Sequence, residues 1–477
     1  MDLGPNVGRM VETTLDDRSA AAGDVDEGLL RRREAHRSGP DAQNPRRVLM
    51  LCYYYPPISA AGTHRSVGFV RWLRDFGWSP VVLTVDKSRI PWEPCTEQAP
   101  PDVEVVRSFE WDLQRVLVVL TGLLSRIRGL LRLPRRPSPF YAWCLPDPQI
   151  AWLSTWRGAR LARTCDCVYV SCSPFSSALS GCLIKLLTGT PLVLDFRDAW
   201  APNPHASHRP VRTLVLTRLE KWVVGRCDTL ILNTPGAERL YRQKYPTHAH
   251  KMTCIPNGFD ELNLPSNERR SDRFVIMHVG DFYRSRKPDR LLDGLLAIGN
   301  PRIEFVQVGP VFDSYPQYKD RVPIRIIDRV PHAEAMALMR SASMLYLCQG
   351  WEAGLRSDVA VASKTYEYLA TGIPVLADCP PGDNADIIRR YATRAWVATA
   401  PDVDQFASAI TEAYASRGQH RPEVSPAFEQ TFNRRRLTAE LAAILTAAAD
   451  GGVDYSAQQR RWDCLVPCGS TAETSVD

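Results

Sequence analysis

The sequence predicts an α/β protein made of two Rossmann-like, doubly wound halves facing each other across a cleft. Three observations predict it. Apolar runs such as residues 47–55 (RVLMLCYYY) lack polar alternation, as strands do when a parallel sheet is covered on both faces. Turn residues and then helical periodicity follow each such run, which is the βαβ order. The whole pattern restarts near Phe274. A chain of 477 residues is also too long for one core and suits two domains plus tails.

In the first half, a turn with Pro56, Pro57 and Gly62 follows the 47–55 strand. A helix over 65–76 stops at Gly77, and a strand follows at 80–85. Further strands are expected at 103–107, 168–171, 192–195 and 230–233, with helices at 150–162 and 211–226. In the second half, the strand 274–279 ends at Gly280 and the helix 288–298 follows. Strands at 303–308, 324–327, 344–347 and 374–377 alternate with helices at 332–340, 364–371 and 403–415. The expected divisions are a disordered tail 1–45, a first domain 46–262, a second domain 263–425, a crossover helix 426–449 and a loose tail 450–477. The crossover helix is read as one piece, about 427–448, packing back across both halves.

Hydrophobic residues make up 44% and charged residues 23%, which suits a largely globular chain. The net charge of +6 is too mild to indicate a nucleic-acid partner. Thirteen cysteines without a CxxC pair argue for free thiols in a reducing cytoplasm. Residues 1–45 are acidic, then Arg-rich, with no apolar core of a signal peptide. The longest apolar run, near 116–124, falls short of the ~20 residues a membrane span needs.

The segment 113–136 is unusual. No acidic residue occurs from 113 to 146, whereas Arg115, Arg126, Arg128, Arg132, Arg135 and Arg136 do. At helical spacing Val116, Leu120, Leu123, Leu124, Ile127, Leu130 and Leu131 share one face, with Thr121, Ser125, Arg128 and Arg132 opposite. This suits a helix lying on an anionic membrane surface. The alternative is a core-packed helix with a basic outer edge.

Four segments can carry chemistry. Residues 363–376 (SKTYEYLATGIPVL) read as a capped helix feeding a buried strand. Ser363 is the expected N-cap, Gly372 the left-handed stop, and Pro374 blocks continuation. Free amides at such a helix start can face a diphosphate, and Glu367 can take the two hydroxyls of a ribose. The alternative is an amphipathic helix with a solvated glutamate. Residues 280–288 (GDFYRSRKP) place Arg284, Arg286 and Lys287 in the loop after a strand that ends at Gly280, where ligands of open α/β sheets bind. Such a cluster can neutralise a diphosphate, or simply be a solvated basic loop. In residues 53–65 (YYYPPISAAGTHR), Gly62 can let the backbone approach a phosphate, and Arg65 stands at the helix start. A plain βα turn explains them as well. In residues 194–200 (LDFRDAW), Asp198 can act as a general base, or Asp195 and Asp198 can pair with Arg197.

Taken together, these segments with residues 254–260 (CIPNGFD) resemble glycosyltransferases of the GT-B fold, and glycosyltransferase family 4 in particular. The resemblance covers about residues 46–448. It implies retaining transfer of a sugar from a nucleotide-diphosphate donor, a UDP- or GDP-sugar, to a glycan or lipid-linked acceptor. It implies that Arg284, Arg286 and Lys287 bind the diphosphate, that Ser363 and Lys364 border it, and that Glu367 holds the ribose. Gly62 would line the donor from the first, acceptor domain, and Asn257 and Gly258 would shape the interdomain turn. Two departures stand out. The first of two family glutamates is replaced by Val359, and the segment 171–177 (SCSPFSS) lacks a family histidine. His64 is a further candidate base.

No cofactor or metal is expected. Residues 24–26 and 402–404 match a DxD pattern, but one lies in the expected tail and the other heads a late helix. The expected setting is cytoplasmic, peripheral at the inner membrane face, in polysaccharide or glycolipid synthesis. An inactive GT-B-like scaffold, a periplasmic-type binding protein and a nucleotide-sugar epimerase are the competing readings.

Overall fold

A computed structural model describes residues 45–58, 60–86, 98–111, 113–130, 144–152, 154–201, 210–260, 272–282, 286–350, 359–399, 402–419, 422–452 and 455. The expected N-terminal tail, apart from Pro45, lies outside them, as do Arg284 and the DxD-like residues 24–26, whereas Asp402 of the other DxD-like sequence is the described N-cap of a late helix.

The first half contains β1 (Arg46–Cys52), α1 (Ala61–Trp72), β2 (Trp78–Val85), β3 (Glu104–Ser108), α2 (Leu113–Leu130) and α3 (Thr155–Ala162). It continues with β4 (Cys167–Cys172), α4 (Ser176–Thr188), β5 (Leu192–Phe196), α5 (Pro210–Arg226), β6 (Thr229–Leu232), α6 (Pro235–Lys244) and β7 (Met252–Cys254). Its seven strands run in the order β3-β2-β1-β4-β5-β6-β7, and the described pairings are parallel. Alternation along β1 divides the core. Val48, Met50 and Cys52 face the layer of α1, whereas Leu49 and Leu51 face the layer of α3, α4 and α5.

The second half contains β8 (Phe274–Val279), α7 (Asp289–Ile298), β9 (Ile303–Val308), α8 (Tyr315–Tyr318), β10 (Ile324–Ile327), α9 (His332–Ser341) and β11 (Met344–Cys348). Then come α10 (Ser363–Thr371), β12 (Val375–Asp378), α11 (Asp383–Tyr391), β13 (Ala395–Ala398) and α12 (Val403–Ala415). Its six parallel strands run β10-β9-β8-β11-β12-β13. In each half the chain leaves the first strand to one side and later returns on the other. This sets a switch point at β1/β4 and at β8/β11, where ligand crevices form beyond the carboxyl ends.

The expected single crossover helix is two helices, α13 (Pro426–Phe432) and α14 (Arg434–Ala449). Asn433 breaks it because the chain there pairs with the strand-like residue Phe259. Phe259 N donates to Phe432 O at 3.1 Å, and Arg434 N donates to Phe259 O at 2.9 Å. The Asn433 side chain then caps α14 by accepting from the Arg435 and Arg436 amides. Leu437, Leu441 and Leu445 of α14 join the first-half core beside Val67 and Val70. The two chain crossings thus lie side by side as a paired hinge. The expected loose tail also needs correction at one point. Tyr455 is buried, and its hydroxyl lies 2.7 Å from Thr229 Oγ1.

The outer surface is lopsided. Of seventeen large apolar side chains exposed among the described residues, sixteen lie between residues 109 and 214, and the other is Val311. Leu123, Ile127 and Leu130 of α2 are 55%, 42% and 85% exposed, so the helix does not bury its apolar stripe in the core. Trp111 and Trp156 are exposed as well. No described helix is long and apolar enough to cross a membrane.

Candidate active site

The crevice at the β8/β11 switch point gathers cations from the start of α10 and from the loop after β8. β8 ends at Gly280, whose φ of +111° is a conformation that side chains rarely adopt. A Cβ at Gly280 would overlap the end of the Lys364 side chain. Glycine therefore lets Lys364, from the first turn of α10, lie across the end of the strand. Lys364 Nζ sits 3.2 Å from His278 Nε2. His278 is buried on β8 and stacks on Phe282 at 4.0 Å between ring centroids. Burial and the neighbouring Lys364 hold the His278 pKa well below the usual histidine range, so the ring is neutral and can accept from the ammonium.

Arg286 approaches from the other side of the same crevice. Its Nε donates to the backbone oxygen of Gln349, just past β11, at 3.1 Å. Burial first, and the Arg286 charge second, push Lys364 down to about 8. Glu367, one turn further along α10, acts in the opposite sense. Glu367 is half-buried and makes no hydrogen bond to a described residue. Lys287 is exposed, and its backbone oxygen accepts from the Cys348 thiol at 3.5 Å.

The start of α10 differs from expectation by one residue. Ala362, not Ser363, is the N-cap, with extended backbone and no side-chain cap bond. Ser363 is the first helical residue and is exposed, so the amides of the first turn lack a side-chain acceptor. Gly372 does end the helix in the left-handed conformation, at φ +69°.

The first-half wall departs further from expectation. Arg65 does not face the crevice with free donors. Its Nε and NH2 hold Asp195 at 2.7 and 3.0 Å, NH2 also reaches Ile255 O, and NH1 reaches Pro256 O and Asn257 Oδ1. A guanidinium has five N–H donors, and all are taken. Arg65 is a buried pin joining α1, β5 and the interdomain turn. Tyr169 also donates to Asp195. Nor is the space beside Gly62 open for a ligand backbone contact. The Arg197 guanidinium occupies it, and a Cβ at Gly62 would overlap that group. Arg197 donates to Ser173 O, accepts from Asn233 Nδ2 through its own carbonyl at 3.1 Å, and lies over the Tyr54 ring. Its Nε is buried without a partner among the described residues. The expected Arg197 pairing with Asp195 or Asp198 is therefore replaced by this packing.

Asp198 is exposed and lines a small pocket with Asn233, Thr234 and residues 359–361 of the other half. Those residues run directly into Ser363 and Lys364. Val359, at the position of the missing glutamate, is buried in the first-half core, and its carbonyl accepts from Thr234 Oγ1 at 2.6 Å. His64 of α1 stands 5.4 Å from His332 of α9 between ring centroids, linking the two walls of the cleft. Among the described residues, no group of three or more His, Cys, Asp or Glu could hold a metal. The ten described free cysteines are all buried.

Two parallel-sheet halves, hinged by paired crossings and meeting at their switch points, make up the GT-B fold. Residues 62–258 match the family model of the glycosyl transferase 4-like domain. Among solved structures, HepE of Anabaena in complex with UDP is 15% identical, with a TM-score of 0.57 over 84% of this chain and 100% of that one. Sucrose-phosphate synthase of Thermosynechococcus elongatus is 14% identical, with a TM-score of 0.50 over 88% and 98%. At these identities the likeness is one of fold. No curated protein sequence matches the chain.

Proposed function

We propose that the chain transfers a sugar from a nucleotide-diphosphate donor to a glycan or lipid-linked acceptor, with retention at the anomeric carbon. The observation that carries this reading is the meeting of Lys364, Arg286 and the uncapped start of α10 at the β8/β11 crevice, over a glycine that leaves room for the lysine. HepE, similar in fold, has been solved with UDP. In this reading Arg286, Lys287 and Lys364 face the diphosphate, with Arg284 belonging to the same loop, and Ser363 and Gly280 border it. Glu367 takes the ribose hydroxyls.

Departure of the nucleotide diphosphate builds negative charge on its terminal phosphate. Fixed cations and amides aimed there stabilise that charge as it forms. In a same-face transfer the departing phosphate can take the acceptor proton. That makes the absent family histidine tolerable, and Asp198 is the protein's own candidate for the role. The donor chemistry rests on this chain's side chains, without a metal.

The acceptor side of the reading rests on the lopsided surface. An exposed apolar stripe with arginines and no acidic residue matches an anionic membrane, with aromatic side chains at the interface. This favours a peripheral position at an inner membrane face, a lipid-linked acceptor, and a role in polysaccharide or glycolipid synthesis.

Val359, packed in the core instead of facing donor, favours a second reading, an inactive scaffold. Titration of UDP, GDP and ADP, followed by assay of nucleotide release with membrane extract as acceptor, separates the two. The transferase reading expects release that depends on acceptor, and expects Lys287→Ala to lower turnover strongly with its fold intact. Unchanged turnover in that variant removes the cationic loop from the account.

A further inference from the structure

A chain of buried polar side chains links the contact between the halves to the cationic crevice. Asp383 opens α11 in the second half and is buried. Its carboxylate accepts from Gly236 N at 2.7 Å and from Arg239 at 3.3 Å, both on α6 of the first half. A side chain at position 236 would overlap that carboxylate. Next to Asp383, both ends of the Asn384 amide are engaged. Its Nδ2 donates to Gln349 Oε1 at 2.7 Å, and its Oδ1 accepts from Thr365 Oγ1 at 2.6 Å. Gln349 in turn donates to Ala360 O at 2.8 Å, and its backbone oxygen receives Arg286. Thr365 is the residue after Lys364. One asparagine thus holds both supports of the crevice: the turn that receives Arg286 and the first turn that carries Lys364.

We propose that Asn384 is a positioning residue, and that with Asp383 it couples closure of the two halves to donor binding. The Asp383 contact with α6 exists only when the halves are together. When it forms, the start of α11 is fixed, and through Asn384 so are Gln349 and the first turn of α10. Donor diphosphate and closed halves then favour each other, because each stabilises the same arrangement. This coupling rests on the nucleotide-sugar reading above.

A double-mutant cycle tests it. Gly236→Ala disrupts the network from the first half, away from the crevice. Asn384→Ala breaks it inside the second. UDP and GDP are titrated into wild type, each single variant and the double variant, with melting temperatures measured alongside. Loss of one such buried hydrogen-bond partner is expected to weaken nucleotide affinity about tenfold. The proposal expects each single variant to show this loss and the double variant to show little more than either. If Gly236→Ala leaves affinity unchanged, or if the two losses simply multiply, the coupling is wrong. A purely structural role lowers the melting temperature of Asn384→Ala but leaves the affinity of the folded protein intact, which also overturns it. Should Asn384→Ala not fold, Arg239→Ala removes the outer Asp383 bond from a half-exposed position and is expected to weaken nucleotide binding in the same direction. Wild type that binds neither nucleotide would instead overturn the donor reading and, with it, this coupling.

Discussion

At the switch point of its sheet each half carries cations, and the two sets behave differently. In the first half Arg65 spends all five donors on Asp195, the 255–256 carbonyls and Asn257, and is almost fully buried. In the second half Lys364 leans on a neutral histidine, and Lys287 is exposed. A buried arginine whose every donor is matched serves the fold, and anything that binds there must displace it. A lysine held against a strand end, its charge disfavoured by burial and by a second cation, gains from an arriving anion. Position in the sheet is the same; what separates structure from function is how much of the charge is already answered.

The largest expected effect falls on the first half. Asp195→Ala leaves the Arg65 charge buried and unmatched. Breaking such a pair typically costs about 3–5 kcal/mol. Calorimetric melting should show that loss, and a melting temperature close to wild type would mean that Arg65 is not the pin described.

Next comes Arg286→Ala in the second half. Removing one preorganised donor at a charged transition state costs about 2.7–4 kcal/mol. Turnover should fall accordingly while the melting temperature barely moves, the reverse of the Asp195 result. Equal thermal losses in both variants would erase the contrast between the halves.

The outer surfaces give a third, smaller test. Fully burying one leucine is worth about 1.5–3 kcal/mol. Leu123→Glu on the exposed stripe of α2 should therefore weaken sedimentation with anionic vesicles severalfold or more. The same change at Val311, the one large apolar side chain exposed among the described residues of the second half, should have no effect on vesicle binding. Retained binding in Leu123→Glu would move the membrane contact elsewhere.

The smallest effect is a proton. Lys364 sits at about 8, down from 10.5, through burial and then Arg286. The unfolded chain therefore holds a proton that the folded one has released between those values, so this group makes stability rise with pH across that window. A bound diphosphate favours the charged form, so nucleotide binding at about pH 8.5 should take up protons. Calorimetry in buffers of different ionisation enthalpy measures this, and Lys364→Met should abolish it.

Much of this was legible in the sequence. The strand cores of both sheets are continuous apolar runs, and the glycine and proline that end α10 are local signals. The loop 280–288 and the 363–376 helix could be placed at one crevice because each follows a strand. Ser363 was misread as the cap because Ala362 offers no side-chain signal, and the extended backbone that makes it the cap is set by neighbouring packing. The role of Arg65 was hidden because Asp195 and the 255–257 carbonyls are distant in sequence. Arg197 beside Gly62 was hidden for the same reason. Asn384 and Gln349 carry no motif at all. Their only sequence signal is polarity beside an apolar strand end, which a loop residue shows equally well. The break at Asn433 could have been suspected from an asparagine ahead of Arg434–Arg436, a cap composition, but its cause is pairing with Phe259.

The central claim is that the second half holds a nucleotide diphosphate through Lys364. Titration of UDP and GDP into wild type and Lys364→Met, at about pH 7 where the lysine is charged, tests it most directly. The account predicts binding of at least one nucleotide by wild type, and affinity at least tenfold weaker in the variant with no fall in melting temperature. Equal affinity in the two proteins, or no binding of either nucleotide by wild type, would contradict it.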